Sequence, residues 1–490
     1  MPGVYKRQVS PPLPLVSALL LASASGCGGC GGGGGNQGQP EADAAFDANG
    51  SLDGTTPLDA MNDAPTDAPS DGDGDGGLAM IPVSPGETGA FGVVTVAGKQ
   101  KLYLPTTRSN SAGDSMIAVV DVGVAGNGVA GAPALITTID LGLPYAETTA
   151  GDSSMVVAAA TGSPDVWLID PTTDTLVKHL RLDASFGQSS FSLGGGFVTG
   201  IAMDSANHRA ILAVWNGFAV LDLQTQSITS VIQAPPSENF GFDSVHGLIY
   251  APFYDCIYSK NGNQGGIMPS ACTTPKTPGD AGTVMTDGLS VIRLSDGEVF
   301  TYEDPDAMDP ANPLGKEPDS AGADPTRQLV VVASEGGSYQ NVLDFSKASF
   351  DTTSKTVTAP HQIVQNLPYM GVALDSSRHI AFLEKEGDSM IAWLDLLLAS
   401  QGDQGSVSAT MPDLPTGGTF ANLGDPHGVA AGPSIIGGQS VAFLADNHWQ
   451  WVARVDLATL AALEQSDASV AATSAQVAAA VTYLDATTKE

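Results

Sequence analysis

The chain has 490 residues, with 53 acidic side chains against 19 lysines and arginines, and a formal net charge of -34 at pH 7. Most of this charge belongs to residues 78–490, which should repel nucleic-acid phosphates and anionic lipid surfaces, so a nucleic-acid partner is excluded. Only 15% of the residues are charged and 58 are glycine, a composition that favours tightly packed sheets with many turns.

Residues 1–27 have the pattern of an export signal. Two cations precede an apolar stretch, residues 13–24, that is shorter than a membrane-spanning helix. The run Ala24-Ser25-Gly26-Cys27 that follows resembles a bacterial lipobox. This resemblance implies a lipoprotein signal peptide whose Cys27 carries the lipid and anchors the chain in a membrane. Cys30 is a second candidate, and an ordinary secretory signal is the alternative.

Residues 28–77 read as a disordered linker. They are rich in Gly, Asp, Ala and Pro, they contain ten acidic residues, and they have almost no large apolar side chain to bury. The alternating Asp-Gly run at 71–76 resembles a calcium loop, but it lacks the downstream glutamate of a complete EF-hand loop, so a solvated linker is favoured. Gly28 and Gly29 stand where inner-membrane lipoproteins often carry aspartate, which by resemblance favours the outer membrane.

Two cysteines remain beyond Cys27 and Cys30. Cys256 and Cys272 lie in one insertion rich in Gly, Pro and Asn, between residues 253 and 286. In an exported chain we expect them to form a disulfide that fastens this loop. Neither cysteine has the spacing of a zinc site.

Short apolar segments that end in aspartate recur along the rest of the chain. They are 116–121, 166–170, 218–222, 341–344, 391–396 and 451–456, and the segment 289–294 is a copy without the aspartate. Seven copies spaced by roughly 50 residues indicate a β-propeller, in which each repeat forms one small sheet. We therefore predict an all-β, seven-bladed β-propeller over residues 78–490, with six or eight blades as the alternative.

The repeats also predict the strands within each unit. The sixth unit should contain strands at 370–374, 380–383, 390–394 and 406–411, with a turn at 375–379 and a polar loop at 384–389. In the seventh unit a strand at 427–431 and a Gly-Pro-Ser turn should precede a strand at 441–444. An Ala-rich, helix-like run follows in residues 464–490, and within it residues 481–484 are expected to close the last blade.

This strand, turn and strand pattern resembles the YVTN and lactonase-like class of seven-bladed propellers over about residues 87–460. The resemblance implies the fold, but it does not identify a function, because propellers include enzymes, binding modules and scaffolds. Members of the lactonase-like class hold a divalent ion with acidic residues that face the central channel. The spacing in this chain does not match their ligands residue by residue, so no roles are transferred.

Residues at the start of each inner strand should face the mouth of the central channel. Alignment of the repeats places these residues there, one per blade: Gly92, Glu147, Thr199, Glu238, Asp319, Met370 and His427. Oxygen ligands suit Ca²⁺ or Mn²⁺, and like charges at close range favour a cation among them. The candidate metal ligands are therefore Glu147, Glu238, Asp319 and His427, and a polar, water-filled mouth without an ion is the alternative.

Other histidines and tryptophans are interpreted as structural. His208, His246 and His379 occupy one turn position in three repeats and are expected on the surface. His179 and His361 fall on predicted outer strands. Three tryptophans occupy the third strand of their repeats and are expected to pack between blades: Trp167, Trp393 and Trp451.

The sequence contains no GxSxG elbow, no HExxH helix, no Walker loop and no CxxCH haem site. The favoured function is a membrane-anchored, exported lipoprotein of the outer membrane whose propeller is a binding or scaffolding module of the cell envelope. Its expected partners are the membrane, through the lipid, and an envelope protein or small-molecule ligand, and it is expected to be a monomer. The alternative is a metal-dependent, lactonase-like hydrolase that uses the carboxylates of the channel mouth.

Overall fold

The computed structural model describes residues 91–106, 115–122, 134–142, 146, 148–160, 164–182, 198–214, 217–235, 237, 239–253, 287–304, 313–315, 318–334, 339–365, 367, 371–385, 389–403, 405–420, 429–433, 440–445, 451–463 and 471–485. All of these residues belong to one compact unit, Gly77–Glu490. Cys27, the linker 28–77, Cys256 and Cys272 lie outside the described residues, and the roles given to them stay predictions.

The described strands form seven sheets, which we call blades and number along the chain. Blade 1 contains β1 (Gly92–Val96), β2 (Lys99–Thr106), β3 (Ser115–Asp121) and β4 (Ala134–Gly142). Blade 2 contains β5 (Thr148–Gly151), β6 (Val156–Ala159), β7 (Asp165–Asp170) and β8 (Thr175–Arg181). Blade 3 contains β9 (Val198–Asp204), β10 (Arg209–Val214), β11 (Gly217–Asp222) and β12 (Ser227–Gln233). Blade 4 contains β13 (Gly241–Asp243), β14 (Leu248–Phe253), β15 (Gly288–Arg293) and β16 (Glu298–Tyr302).

Blade 5 contains β17 (Pro318–Asp324), β18 (Leu329–Ser334), β19 (Tyr339–Asp344) and β22 (His361–Gln365), and β20 (Ser349–Asp351) and β21 (Thr356–Thr358) lie between its last two strands in sequence. Blade 6 contains β23 (Gly371–Asp375), β24 (Ile380–Glu384), β25 (Met390–Asp395) and β26 (Ser406–Thr410). Blade 7 contains β27 (Val429–Pro433), β28 (Ser440–Ala445), β29 (Trp451–Asp456) and β30 (Val481–Asp485). The helices are α1 (Leu396–Ala399), α2 (Leu457–Ala461) and α3 (Ser474–Val477), with short 3₁₀ turns at Ser205–Asn207 and Phe345–Lys347. Across the described ranges, none of the helices combines the length and the apolar character needed to cross a membrane.

The blades close into a ring because each interface between neighbours has its own apolar core. Seven separate clusters of buried side chains join blades 1 and 2, 2 and 3, 3 and 4, 4 and 5, 5 and 6, 6 and 7, and finally 7 and 1. The inner strands also contact one another between blades 1 and 2, 2 and 3, 4 and 5, 5 and 6, and 6 and 7, and β27 contacts β1. The protein is therefore an all-β, seven-bladed propeller, and the alternatives of six or eight blades are wrong.

Continuous apolar runs in the second and third strands follow from this arrangement. Successive side chains of a strand point to opposite faces. In β2, Leu102 and Leu104 pack against blade 7, whereas Tyr103 packs against blade 2. Both faces of a blade are buried, so these strands cannot alternate between apolar and polar residues as a strand with one exposed face does.

The aspartate that ends the repeated segment is explained by the turn that follows it. Asp170 accepts the backbone N–H of Thr172 at 2.7 Å, and Asp222 accepts that of Thr225 at 2.6 Å. These bonds favour the charged carboxylate and lower the pKa of both aspartates. Asp395 caps the start of α1 in the same way. The recurring aspartate thus stabilises the turn, or caps the helix, that follows the strand.

Each blade has two distinct ends. Four antiparallel strands return the chain to the side from which it entered, so the inner strands begin and the outer strands finish on one side, the mouth face. The connections from first to second and from third to fourth strands lie on the opposite side, the turn face. The predicted channel residues therefore belong to the mouth face.

A buried ion pair on the turn face joins blades 1 and 2. Lys101 Nζ lies 2.9 and 2.7 Å from the two carboxylate oxygens of Asp174, and the Tyr103 hydroxyl donates to the same carboxylate at 2.5 Å. Burial, together with the negative charge of Asp174, raises the pKa of Tyr103, so its hydroxyl stays protonated and remains a donor.

Blade 4 carries a feature that sequence periodicity did not predict. The hairpin β20–β21, which we call the strap hairpin, leaves blade 5 and pairs in parallel with β16, so the sheet of blade 4 has six strands. Lys355 lies 2.6 Å from Glu298, and the ring of Phe350 meets that of Phe300 edge-on at 5.0 Å. The strap hairpin covers what would otherwise be an open sheet edge.

Most strand predictions are confirmed, including the closing strand, which is β30. The Gly-Pro-Ser turn is wrong, because Gly432 and Pro433 continue β27 and pair with β28. Glu384 was assigned to a polar loop but is the last residue of β24 and is fully buried. The predicted helix-like run contains the short helix α3, and a second short helix, α2, lies before it.

A substitution at Gly241 tests how closely the inner strands of blades 4 and 5 approach each other. A Cβ at this position would lie 3.0 Å from the backbone nitrogen of Ala323 and 3.1 Å from the carbonyl carbon of Gly322, in the next blade. Because the backbone must move, Gly241→Ala should lower the free energy of unfolding by about 1–3 kcal/mol in urea titrations. The control Val245→Ala, in an exposed turn of the same blade, should change it by less than about 0.5 kcal/mol. Equal stability of the two variants would contradict this packing.

Candidate functional site at the mouth face

The structure describes three of the seven predicted channel residues. Gly92, Thr199 and Asp319 lie at the first or second position of inner strands β1, β9 and β17, as predicted. The other four lie outside the described residues: Glu147, Glu238, Met370 and His427. The proposed metal ligands are therefore represented by Asp319 alone, and their convergence stays a prediction.

Thr199 is the extra residue of a β-bulge. Val198 pairs with Val214 and Gly200 with Ala213, which leaves Thr199 without a partner in the ladder. Its side chain is turned toward blade 4, where the hydroxyl donates to the backbone carbonyl of Ser237 at 2.7 Å. Thr199 is 9% exposed, so this residue joins two blades rather than projecting freely into the mouth.

Asp319 occupies the same position in blade 5. Pro318 pairs with Ser334 and Ser320 with Ala333, so Asp319 is the residue at the irregularity. It is only 3% exposed. A bulge re-aims a side chain, and a buried carboxylate needs hydrogen-bond donors or a cation to remain charged. Asp319 is thus a described residue of the mouth with the chemistry of a hard-metal ligand.

Gly92 is fixed by a threonine from the next blade. Its backbone N–H donates to the Thr149 hydroxyl at 2.8 Å, and this hydroxyl donates to the carbonyl of Tyr103 at 2.5 Å. A Cβ on Gly92 would lie 3.3 Å from the carbonyl carbon of Ala150. Thr149 was missed in the sequence because it lies inside a short strand with no motif of its own.

Glu384 is a further acidic residue near the mouth. It is fully buried and pairs with Gly371, the first residue of inner strand β23. Phe382, two residues earlier on the same face of β24, packs against blade 7. The side chain of Glu384 is therefore directed into the interface between blades 6 and 7. Within the described part of the chain, no three His, Cys, Asp or Glu residues are arranged to hold a metal ion.

Carboxylates on the turn face also bind neighbouring blades. Asp324 of blade 5 lies 2.6 Å from Nδ1 of His379 in blade 6, and the His379 side chain is 18% exposed. His379 lies on a turn as predicted, and its ring is partly buried because it contacts this buried carboxylate. Burial alone would raise the pKa of Asp152, but hydrogen bonds from Ser205 of blade 3 and from Ser154 lower it.

The remaining histidines and the tryptophans lie as expected. His208 and His246 are exposed on turns, and His179 and His361 lie on the outer strands β8 and β22. Three buried tryptophans pack between blades and are not available as a ligand platform: Trp167, Trp393 and Trp451. The indole N–H of Trp167 donates to the carbonyl of Leu141 in blade 1 at 3.0 Å.

The fold and the mouth define a class of protein, the seven-bladed β-propellers. No protein-family model matches the chain. No curated protein matches it either. Solved structures with a similar fold include a chain of Kuenenia stuttgartiensis hydrazine synthase, at 13% identity and a TM-score of 0.41, with 79% of this chain and 99% of that chain covered.

Two further structures are similar at the same level. One is a functionally unknown protein from Desulfotomaculum acetoxidans DSM 771, at 14% identity and a TM-score of 0.42, covering 70% of this chain and 89% of that chain. The other is Hsv2 of Kluyvelomyces marxianus, at 9% identity and a TM-score of 0.41, covering 73% and 88%. Similarities this weak carry no functional argument.

Substitutions at Thr199 test how much its hydrogen bond to Ser237 stabilises the mouth face. Thr199→Val keeps the shape of the side chain but leaves the Ser237 carbonyl without its donor, so we expect a loss of about 1–2 kcal/mol in the free energy of unfolding. Thr199→Ser keeps the hydroxyl and should lose clearly less. If the two variants are equally stable in urea titrations, the hydrogen bond between blades 3 and 4 does not contribute.

Proposed function

We propose that the protein is a membrane-anchored, exported lipoprotein whose propeller presents its mouth face as a binding or scaffolding surface of the cell envelope. The anchor is Cys27, and residues 28–77 are the tether. A flexible chain of about 50 residues has a root-mean-square span of roughly 40 Å, so the tether lets the propeller reach partners away from the lipid surface.

One observation supports the mouth face most directly, namely that the longest connection between described strands, from Phe253 to Gly288, lies on this side. On the turn face, inner strands pass to second strands through tight turns, as from Asp204 to Arg209 and from Asp375 to Ile380. On the mouth face, the chain between Phe253 and Gly288 and that between Thr410 and Val429 are far longer. Long connections on a rigid frame are where propellers and other scaffolds carry binding residues.

The frame beneath these connections supports a binding role because it is fastened between blades. The Thr149 hydroxyl holds the start of inner strand β1, and the Thr199 hydroxyl holds Ser237 in the connection that leads to β13. A rim whose geometry is fixed in advance loses little conformational entropy when a partner binds. This arrangement suits a platform for an envelope protein or a small-molecule ligand.

The anchor is tested by fractionating cells that express the full chain. Cys27→Ser should move the protein from the membrane fraction to the soluble exported fraction, because no lipid can be attached. Cys30→Ser is the matched control and should stay in the membrane fraction. Membrane retention of Cys27→Ser, or release of Cys30→Ser alone, would contradict lipidation at Cys27.

The binding surface is tested by crosslinking in intact envelopes. Replacing residues 254–286 with a short Gly-Ser segment should abolish crosslinks to the partner if the mouth face binds it, while the circular dichroism spectrum stays that of a folded propeller. Val245→Ala on the turn face is the control and should retain the crosslinks. If crosslinks to the partner persist after the replacement and are lost in Val245→Ala, the partner binds the turn face and the proposal is wrong.

A second candidate function is a metal-dependent, lactonase-like hydrolase, favoured by the buried carboxylate of Asp319 at the start of an inner strand. Glu147, Glu238 and His427 would complete the ligand set for Ca²⁺ or Mn²⁺. Wild-type protein should then contain a divalent ion by elemental analysis, and Asp319→Asn should lose it. The exposed control Asp403→Asn should keep the ion, and a metal-free wild type that shows no thermal shift with Ca²⁺ or Mn²⁺ would exclude this function.

A further inference from the structure

His361 holds an unusual position at the junction of blades 4 and 5. It is the first residue of β22, directly after the chain leaves the strap hairpin. Its Nδ1 lies 3.1 Å from a carboxylate oxygen of Asp304, which follows the last strand of blade 4, and its Nε2 lies 2.8 Å from Oδ1 of Asn341 in β19. The His361 side chain is only 9% exposed, so one buried ring connects two blades.

The partners of Asn341 determine which of its atoms faces the ring. Its Nδ2 donates to the carbonyl of Leu314 at 2.9 Å and lies 3.4 Å from that of Val332. Both of these groups are acceptors, so Nδ2 belongs on their side and Oδ1 must face His361. Because an amide oxygen can only accept, Nε2 of His361 carries a hydrogen.

The other ring nitrogen meets the same requirement. The carboxylate of Asp304 accepts and does not donate, so Nδ1 of His361 must also carry a hydrogen to bond to it. A neutral imidazole has a hydrogen on only one nitrogen, whereas the imidazolium ion has one on each. The two contacts of His361 can therefore both be hydrogen bonds only when the ring is protonated.

We propose that His361 is a proton-dependent clasp that fastens the end of blade 4 and the base of the strap hairpin to blade 5. With the proton in place, the ring donates to Asp304 and to Asn341 at the same time. When the proton leaves, a lone pair on one ring nitrogen faces an acceptor, and one of the two bonds is lost. Asn341 also holds the Leu314 carbonyl, so the clasp is linked to the segment that leads into Pro318 and Asp319 at the mouth.

Other titratable groups lie near the pair formed by His361 and Asp304. Tyr302, near Asp304, has its pKa raised, first by burial and then by the charge of Asp304, so it stays neutral. In the 3₁₀ turn beyond β19, Lys347 is paired with Asp344 at 2.7 Å.

On the strap hairpin, Lys355 is paired with Glu298 at 2.6 Å. Glu303 lies between Tyr302 and Asp304 in the sequence. This ion pair of Lys355 and Glu298 fastens the tip of the strap hairpin to β16.

The test is hydrogen–deuterium exchange of the full chain at about pH 5.5 and about pH 8.5, which bracket the titration of histidine. The reporters are the amides of Thr301 and Glu303, which donate to carbonyls of the strap hairpin at 2.9 and 2.8 Å. After correction for intrinsic exchange rates, their protection in the wild type should be about tenfold higher at the lower pH, consistent with loss of a hydrogen bond to a charged group. Equal protection at both pH values would overturn the proposal.

Asp304→Asn is the informative variant. The side-chain amide of asparagine can donate to Nδ1 of a neutral ring, so both contacts survive without the proton and the difference between the two pH values should disappear. His208→Asn removes an exposed histidine elsewhere and should leave the difference unchanged. If Asp304→Asn keeps the full difference in amide protection between the two pH values, another group causes that difference.

A second measurement does not depend on any variant folding. The nitrogen-15 chemical shifts of histidine-labelled wild type report directly whether a ring is protonated on both nitrogens. A resonance assigned to His361 that is doubly protonated at about pH 6 supports the clasp. A ring that is neutral at that pH overturns it.

Discussion

The structure depends on the mutual burial of neighbouring blades. A blade of this chain is apolar on both faces, so no blade can be stable in water alone, and each is completed only by the two beside it. The seven apolar clusters express this requirement, since each contains side chains from two consecutive blades. Stability is therefore a property of the closed ring, and loss of one interface removes support from the next.

Polar contacts set the alignment within this apolar frame. Lys101 and Asp174 hold the turn face of blades 1 and 2, and Thr149 holds the mouth face of the same pair. Such buried polar groups must keep their partners, because leaving one unsatisfied costs more than the bond contributes. The apolar clusters keep the blades together, while these pairs fix how far one blade can slide along another.

The sequence predicts the regular part of the fold well and the exceptions poorly. The repeated apolar segments ending in residues such as Asp170 and Asp395 identify blades because both the strand and its turn have local causes. The strap hairpin has no such signal, since residues 349–358 are mostly polar and their pairing partner β16 belongs to another blade. Side-chain direction at the mouth is equally hidden, because the bulges at Thr199 and Asp319 re-aim the residue without changing the strand pattern.

The way the ring closes has a mechanical consequence. Among the described strands, blade 1 is built from β1–β4 and blade 7 from β27–β30, so the first and last blades lie side by side and exchange no strand. Blades 4 and 5, in contrast, are laced together by β20 and β21. A pull applied at the amino-terminal end of β1 would load the seam between blades 1 and 7 directly, where side-chain packing must bear the force without a shared backbone ladder. The ring would therefore open first between blades 1 and 7, and blades 4 and 5 would be the last to separate.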